Sequence, residues 1–575
     1  MSRLPAPRLL PLALACFTAA GLSAGASFAT AEEVLPPRPG ERVLDAGILT
    51  GFRDTQRVPK IARVSAILGE DQHSQKIAVR HESWVERVKR RLAAHRARAQ
   101  AASPQPRARR RSREARSLQR RFEREVAQLP SSIRVALHVR DFDHDQTIVD
   151  VSGDRLLNPA SNQKLLTAIA AVELLGADYP FGTRVLRDDR ALYLVDEGDP
   201  SLDAAALYDL AQQVRSHTPL DSIETIVVDD SAFSTRVFGP GYDPKGSGPA
   251  YMAPSGALSF NFNTVELWVR PGVIGKPARV ALWPESPHVS VLNGTRTGRG
   301  YESGLQVASD SDGSETKIRV RGRIPARHGA IVLRRRVLDP AAFTGGSFAN
   351  TLHRLERSSD PDPDPDPDPT ELSVIRGRAP TGLTPLASMK SAPLFEVLGS
   401  AMKFSNNFTT EQVLRTLAWR ATGEPGTWEA GVEIVEEFWA APDTIGRLTM
   451  LNGSGLSREG RVSPRTLVDA LALTQRDGSP AQALLVAFSK AGGEGTMRRR
   501  LPGVGARLQA KTGTMSGVSA LSGIVKSPDG GQVFGFSILI NGGAARENRA
   551  FQNRLVMLLL RDLERRPRDK FMATG

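Results

Sequence analysis

Hydrophobic positions along this chain follow two periods. Leu165, Leu166, Ile169, Val172, Leu174 and Leu175 crowd residues 161–176 at helical spacing, which predicts a buried helix. A second helix-like segment ends at Ala401, Met402, Lys403 and Phe404, and a third is predicted over 409–422. Ile133, Val135, Leu137 and Val139 alternate with other residues and predict a strand, with 146–151 pairing to it across a turn. Residues 509–514 read as a strand, followed by a turn and a second strand to Val525. Together with 532–540 these strands predict one antiparallel sheet, and a helix over 549–563 is expected to pack on it. Between 186 and 385 the strands are short, such as 223–228 and 318–320, so mostly β structure is expected there. Near the start, Trp84, Val88 and Leu92, then Leu118 and Phe122, recur at helical spacing over 81–98 and 107–128, with a break at Ser103-Pro104-Gln105-Pro106.

Charge changes the picture at that amino-terminal end. The net charge is +14, and 80–125 alone carries 16 Arg/Lys against 5 Asp/Glu. Such a run is a candidate for binding an anionic envelope polymer or membrane surface. The plainer expectation for 32–127 is a basic, partly disordered or helical arm in solvent. Arg3 and Arg8, an apolar stretch from Leu9 to Leu22 and the small residues Ala29-Thr30-Ala31 read as a signal peptide over 1–31. The expected location is therefore the periplasm, and nucleic acid is not an expected partner. Cys16, the only cysteine, lies inside that signal, so the mature chain needs no disulfide. The nine histidines are scattered, among them His73, His81 and His95, and no metal or other cofactor is expected. The Asp-Pro repeat 360–369 predicts an extended solvent loop, because proline lacks a backbone donor and the aspartates repel. At 575 residues and 40% hydrophobic content there is room for three or four domain-sized units.

Three short motifs carry the candidate chemistry: Ser161-Asn162-Gln163-Lys164, Ser405-Asn406-Asn407 and Lys511-Thr512-Gly513, in that order. Lys164 lies three residues beyond Ser161 and so shares its helix face. A serine hydroxyl needs a neighbouring base, and a lysine serves only if desolvation or a second cation, here Lys511, lowers its pKa. Ser405 and Asn407 sit in a turn between two predicted helices. The hydroxyl there is suited to relaying a proton between Lys164 and a leaving amine, and the amide to holding Lys164 and a substrate backbone. Either asparagine also fits a helix N-cap. Lys511 and Thr512 are candidates to bind a carboxylate, and Gly513 lets a substrate backbone approach the strand edge. The N–H groups of Ser161 and Thr514 are the expected oxyanion hole, where loss of one donor costs roughly 100- to 1000-fold in rate.

Ordered this way, the motifs are the signature of serine acyl-transferases that open D-alanyl-D-alanine amides or β-lactams. The chain resembles the class C low-molecular-mass penicillin-binding proteins, D-Ala-D-Ala carboxypeptidases and endopeptidases of the penicillin-binding protein 4 type. The closest block is 510–523. Similar segments are Pro159-Ala160-Ser161, Gly198-Asp199-Pro200-Ser201-Leu202, Tyr251-Met252-Ala253-Pro254, Val320-Arg321-Gly322-Arg323 and Asn452-Gly453-Ser454-Gly455-Leu456-Ser457-Arg458. The resemblance implies an α/β fold: a transpeptidase/β-lactamase-like domain of antiparallel sheet and helical subdomain, split by a large, mainly β insertion. Its pieces are expected at 128–185 and 386–565, with the insertion at 186–385 and a tail from 566. It implies peptidoglycan stem peptides as substrate, β-lactams as inhibitors, and Arg458, Met515, Ser516 and Tyr251 as the side-chain pocket. The 241 positions between Lys164 and Ser405 fit such an insertion and disfavour simple serine β-lactamases. The alternatives are a β-lactamase or esterase of the same fold, or a non-catalytic envelope-binding scaffold. One departure stands out. A Trp and acidic residues usually precede the Tyr251 segment in that family, whereas Gly241-Tyr242-Asp243-Pro244-Lys245-Gly246 stands here. Recognition of a diaminopimelate amine is accordingly expected to be weak.

Overall fold

The structure, a computed structural model, describes residues 73–101, 113–218, 220–245, 247–311, 315–359, 372–440 and 448–566. The expected signal peptide, the Asp-Pro run and the tail beyond 566 lie outside the described residues. In chain order the α-helices are α1 (His73–Ala101), α2 (Arg113–Ala127), α3 (Gln163–Leu175), α4 (Ala204–His217), α5 (Pro340–Ser359), α6 (Leu394–Lys403), α7 (Asn407–Thr422), α8 (Trp428–Trp439), α9 (Pro464–Leu473) and α10 (Ala545–Arg565).

The main sheet has six strands: β1 (Arg134–Asp141), β2 (Gln146–Val151), β3 (Ser489–Lys490), β4 (Leu508–Met515), β5 (Val518–Lys526) and β6 (Val533–Asn541). Their spatial order is β3-β4-β5-β6-β1-β2, antiparallel throughout. Strands from both ends of the sequence therefore meet where β1 pairs β6, with Val135 opposite Ile540 and Leu137 opposite Ile538. One face of the sheet is covered by α10, whose Phe551, Leu555, Leu559 and Leu563 recur at helical spacing and are buried against Leu521, Phe536 and Ile538. The other face meets the helical half, centred on α3. Every α3 residue except Glu173 is buried, as its nearly continuous apolar run requires.

Residues 182–390 form the insertion. Its first and last strands, Gly182–Arg187 and Pro385–Lys390, pair antiparallel, so the chain leaves and rejoins the rest of the fold at one place. They belong to a five-stranded sheet, and two three-stranded sheets accompany it. The helices α4 and α5 complete a separate apolar core that includes Leu210, Val214, Phe343 and Phe348.

The amino-terminal helices depart from the expected solvated arm. Val88 and Leu92 of α1 are buried in the helical core, and Trp84 meets Tyr179 edge to face at 5.0 Å. Arg91 donates to the carbonyl of Leu174 at the end of α3, where helix carbonyls lack intrahelical partners. On α2, Ala115, Leu118 and Phe122 are buried in the core between sheet and α10. Lys89, Arg90, Arg98, Arg120 and Arg124 lie on the exposed faces. A strongly basic run thus conceals two amphipathic helices whose apolar stripes join the cores on the two faces of the main sheet.

Candidate active site

The nucleophile turn is pinned before its helix begins. Asn158 Oδ1 accepts from the N–H of Ala160 at 2.8 Å, an Asx turn, and Ala160 takes a positive φ of 43°. The Asn158 backbone exchanges two hydrogen bonds with the amide of Asn541 at the end of β6. A single 3-10 turn, Ala160–Asn162, then carries Ser161 into the amino-terminal end of α3. Gly513 of β4 backs directly onto this turn: an added Cβ would lie 2.8 Å from Pro159 O and 3.1 Å from Ser161 N.

Lys164 is fully buried one turn on. Its Nζ lies 3.0 Å from Ser161 Oγ, 2.6 Å from Asn407 Oδ1 and 2.8 Å from the carbonyl oxygen of Ser454. A neutral amine has two N–H donors and one lone pair. With Asn407 and Ser454 accepting both donors, the lone pair is left to face the Ser161 hydroxyl. Burial lowers the Lys164 pKa to about 7, and the Glu411 carboxylate pulls the other way.

The second motif is bent as the chemistry requires. Ser405 joins α6 to α7 with a φ of 63°, a conformation costing about 1–3 kcal/mol in a residue with a Cβ. Asn406 is the N-cap of α7 and accepts from Thr409 N, while Asn407 turns inward. The Asn407 amide nitrogen donates to the Tyr251 carbonyl at 2.9 Å, so this residue ties Lys164 to the insertion. Ser405 Oγ accepts from Lys511 Nζ at 2.7 Å, and its hydrogen bond goes to that lysine rather than to Lys164. Lys511 is also fully buried and donates to the carbonyl of Thr512. Its pKa is held well below the ordinary value, first by burial and then by Lys164. The expected influence of Lys511 on Lys164 is overshadowed by burial, which alone takes the ammonium out of water.

Thr514 and Ser516 are exposed on the β4–β5 hairpin, with Thr512 and Met515 half-buried. Beyond Ala510 no described strand pairs the outer side of β4, because β3 covers only Gln509 and Ala510. Tyr251 is 47% exposed above Asn407, and Arg458 is exposed on the loop after Ser454. Tyr242, from the divergent segment before Tyr251, is buried, and its hydroxyl lies 3.2 Å from Glu411 Oε1 and 3.3 Å from Ser454 Oγ. Asp243 beside it is exposed and accepts from Lys245 N.

The motif reading missed Ser454, Glu411 and Tyr242. Glu411 stands one helical turn beyond Asn407, so the i, i+4 spacing was the available signal. Among the described residues no cluster of His, Cys, Asp and Glu is arranged to hold a metal ion, and no helix is long and apolar enough to cross a membrane.

The chain belongs to the D-Ala-D-Ala carboxypeptidase 3 (S13) family, whose model matches residues 118–561. It is 34% identical over 439 residues to a D-alanyl-D-alanine carboxypeptidase of an Actinomadura species, covering 71% of this chain and 77% of that protein. It is 24% identical over 432 residues to the D-alanyl-D-alanine carboxypeptidase DacB of Haemophilus influenzae, covering 72% and 87%. The crystal structure of penicillin binding protein 4 from Haemophilus influenzae matches with a TM-score of 0.62 at 22% identity, over 76% of this chain and 98% of that one, and shares its fold. The family match begins inside α2, ten residues before the boundary expected from the motifs.

Proposed function

We propose that the protein is a serine DD-peptidase of the cell envelope that works through an acyl-enzyme on Ser161. The observation that carries this is the buried Lys164 amine, wedged between the uncharged groups Ser161 Oγ, Asn407 Oδ1 and Ser454 O. Ser161 Oγ attacks the carbonyl carbon of the penultimate D-alanine as its proton passes to Lys164. The amide C–N bond then breaks and the leaving amine takes up a proton, with Ser405 and Lys511 on its route. Water, giving its proton to the same lysine, hydrolyses the ester and frees the serine. The substrate backbone pairs along the open side of β4 as an added strand beside Gly513. Lys511 and Thr512 take the terminal carboxylate, whose charge favours the ammonium form of Lys511. The N–H groups of Ser161 and Thr514 hold the oxyanion.

The test is mass spectrometry of a digest after treatment with benzylpenicillin. A penicilloyl adduct on the Ser161 peptide, absent in Ser161→Ala, is the expected result. An unmodified Ser161 peptide at saturating drug rules the reading out.

The acylation rate is also expected to rise with pH through about 7 and to level off above it. Lys164 must be neutral to accept the proton, and its pKa is lowered to about 7. A rate that stays flat from about pH 5 to 9 excludes a titrating base of this kind.

Arg458, Met515, Ser516 and Tyr251 are the proposed side-chain pocket. With Tyr242 turned inward, only Asp243 is left in that segment to meet a diaminopimelate amine, and it sits exposed. A charge-assisted hydrogen bond is worth about 1.5–3 kcal/mol, or roughly 10- to 150-fold. Hydrolysis of a stem peptide with its side-chain amine free is expected to exceed that of the acetylated peptide by less than roughly 100-fold. A larger ratio identifies an acidic partner.

This reading places the mature protein in the periplasm after removal of residues 1–31. The exposed Lys89, Arg90, Arg120 and Arg124 of α1 and α2 are the proposed contact for an anionic envelope polymer or membrane surface.

A further inference from the structure

Helix α7 carries a polar column on one face. Asn407, Glu411 and Arg415 follow at i, i+4 and i+8, and all three are buried. Asn407 reaches Lys164 directly. Arg415 donates to backbone carbonyls of Ser234, Ser255 and Gly426, and so fixes the insertion's loops to this helix. Glu411 lies between them and makes no direct contact with Lys164 among the described hydrogen bonds.

Its carboxylate is 1% exposed and saturated with donors. Oε1 accepts from the N–H of Ser454 at 2.9 Å and from the Tyr242 hydroxyl. Oε2 accepts from the N–H of Gly453 at 2.9 Å and from the Trp428 indole at 2.8 Å. Two successive backbone N–H groups of one loop thus converge on one carboxylate. The carbonyl of Ser454, in that same loop, accepts from Lys164. The loop has no slack elsewhere: a Cβ on Gly453 would lie 2.4 Å from Thr410 O, and one on Gly455 would lie 2.1 Å from Ala160 O. Thr167 Oγ1 of α3 donates to the Gly453 carbonyl.

We infer that Glu411 is a positioning residue for the reaction: it clamps the 453–454 backbone so that the Ser454 carbonyl directs the Lys164 lone pair at Ser161, and its buried carboxylate is a counter-charge to that lysine. Among the described residues, the charged and titratable groups around Lys164 are Lys511 from β4, Glu411 from α7 and Tyr242 from the insertion, with Arg415 farther along α7. Glu411 is the only carboxylate among them. Burial favours the neutral amine and Glu411 favours the ammonium, in line with the direction of its influence on Lys164. Glutamine at this position is poor in both roles. It carries no charge, and its NH₂ would face N–H donors where the native oxygen accepts.

The inference rests on the acyl-enzyme reading above, and the experiment separates the two. Acylation of the full chain by fluorescent penicillin is measured from about pH 5 to 9 for the parent, Glu411→Gln and Glu411→Asp, with circular dichroism as a control on folding. In Glu411→Gln the acidic limb moves to lower pH and the plateau rate falls by about 100-fold, the cost of misplacing a catalytic group by about 1 Å. In Glu411→Asp, which keeps the charge but shortens the reach, the limb stays at the parental pH and only the plateau falls. A merely structural residue lowers both plateaus and moves neither limb. A folded Glu411→Gln protein with the parental limb overturns the counter-charge role. A Glu411→Asp protein that acylates at the parental rate overturns the clamp, and it decides the matter if the glutamine variant does not fold. A parent that forms no adduct overturns the acyl-enzyme reading and this inference with it.

Discussion

Replacing Lys164 by alanine is expected to lower the rate of penicillin acylation at Ser161 by about 100- to 10,000-fold, the range that general-base catalysis supplies. The effect is large because nothing else within reach takes the proton. Asn407 Oδ1 and Ser454 O are acceptors already committed to the lysine, and the Ser405 hydroxyl is held by Lys511. The fold is expected to survive. A fully buried amine is costly to hold, and its removal relieves that cost while leaving two buried acceptors unpaired, at about 1–3 kcal/mol each. The measurement is the second-order rate of fluorescent penicillin labelling, with thermal melting to verify folding. Labelling within about tenfold of the parent would assign the base to the Ser405–Lys511 pair instead.

What could be read from the sequence followed from chemistry that is local in the chain. Ser161 and Lys164 share a helix face because three residues separate them, and α3 is buried because almost every residue in it is apolar. Strand alternation at 133–139 and the hairpin at Lys511 were visible for the same reason. Contacts that depend on distant segments were not. Glu411 reads as an ordinary helical glutamate, since its partners Tyr242, Trp428, Gly453 and Ser454 come from three other places in the sequence. The Ser405 hydroxyl was expected to serve Lys164 and bonds Lys511, a choice set by how α6, α7 and β4 approach one another. The insertion was expected to be mostly β, and its helices α4 and α5 escaped because short amphipathic stretches there lie among equally short strands. In α1 and α2 the apolar stripes are legible in the sequence, but the density of arginine points to solvent. Arginine on the outer faces of a helix does not prevent its inner face from packing.

That last difference carries the second large effect. Deleting α1 and α2, so that the chain begins after residue 127, is expected to abolish cooperative unfolding and penicillin labelling together. The deletion uncovers Leu174, Tyr179, Phe438 and the α3 end on one side, and the sheet beneath Phe122 on the other. Among the described residues, the buried side chains Val88, Leu92, Ala115, Leu118 and Phe122 leave with it. The larger ones are worth about 1.5–3 kcal/mol each, which together rivals the whole stability of a typical domain, about 5–15 kcal/mol. A point variant keeps the question answerable if the truncated chain is insoluble. Phe122→Ala removes a ring that is 0% exposed and is expected to cost about 3–5 kcal/mol, while Arg120→Ala on the exposed face is expected to cost less than about 0.5 kcal/mol. Chemical denaturation of the two variants measures the contrast. Equal stabilities, or a truncated protein that melts and labels like the parent, would return both helices to the role of a dispensable basic arm. The expected outcome makes them structural parts of the peptidase, with Lys89, Arg90, Arg120 and Arg124 exposed on the outside.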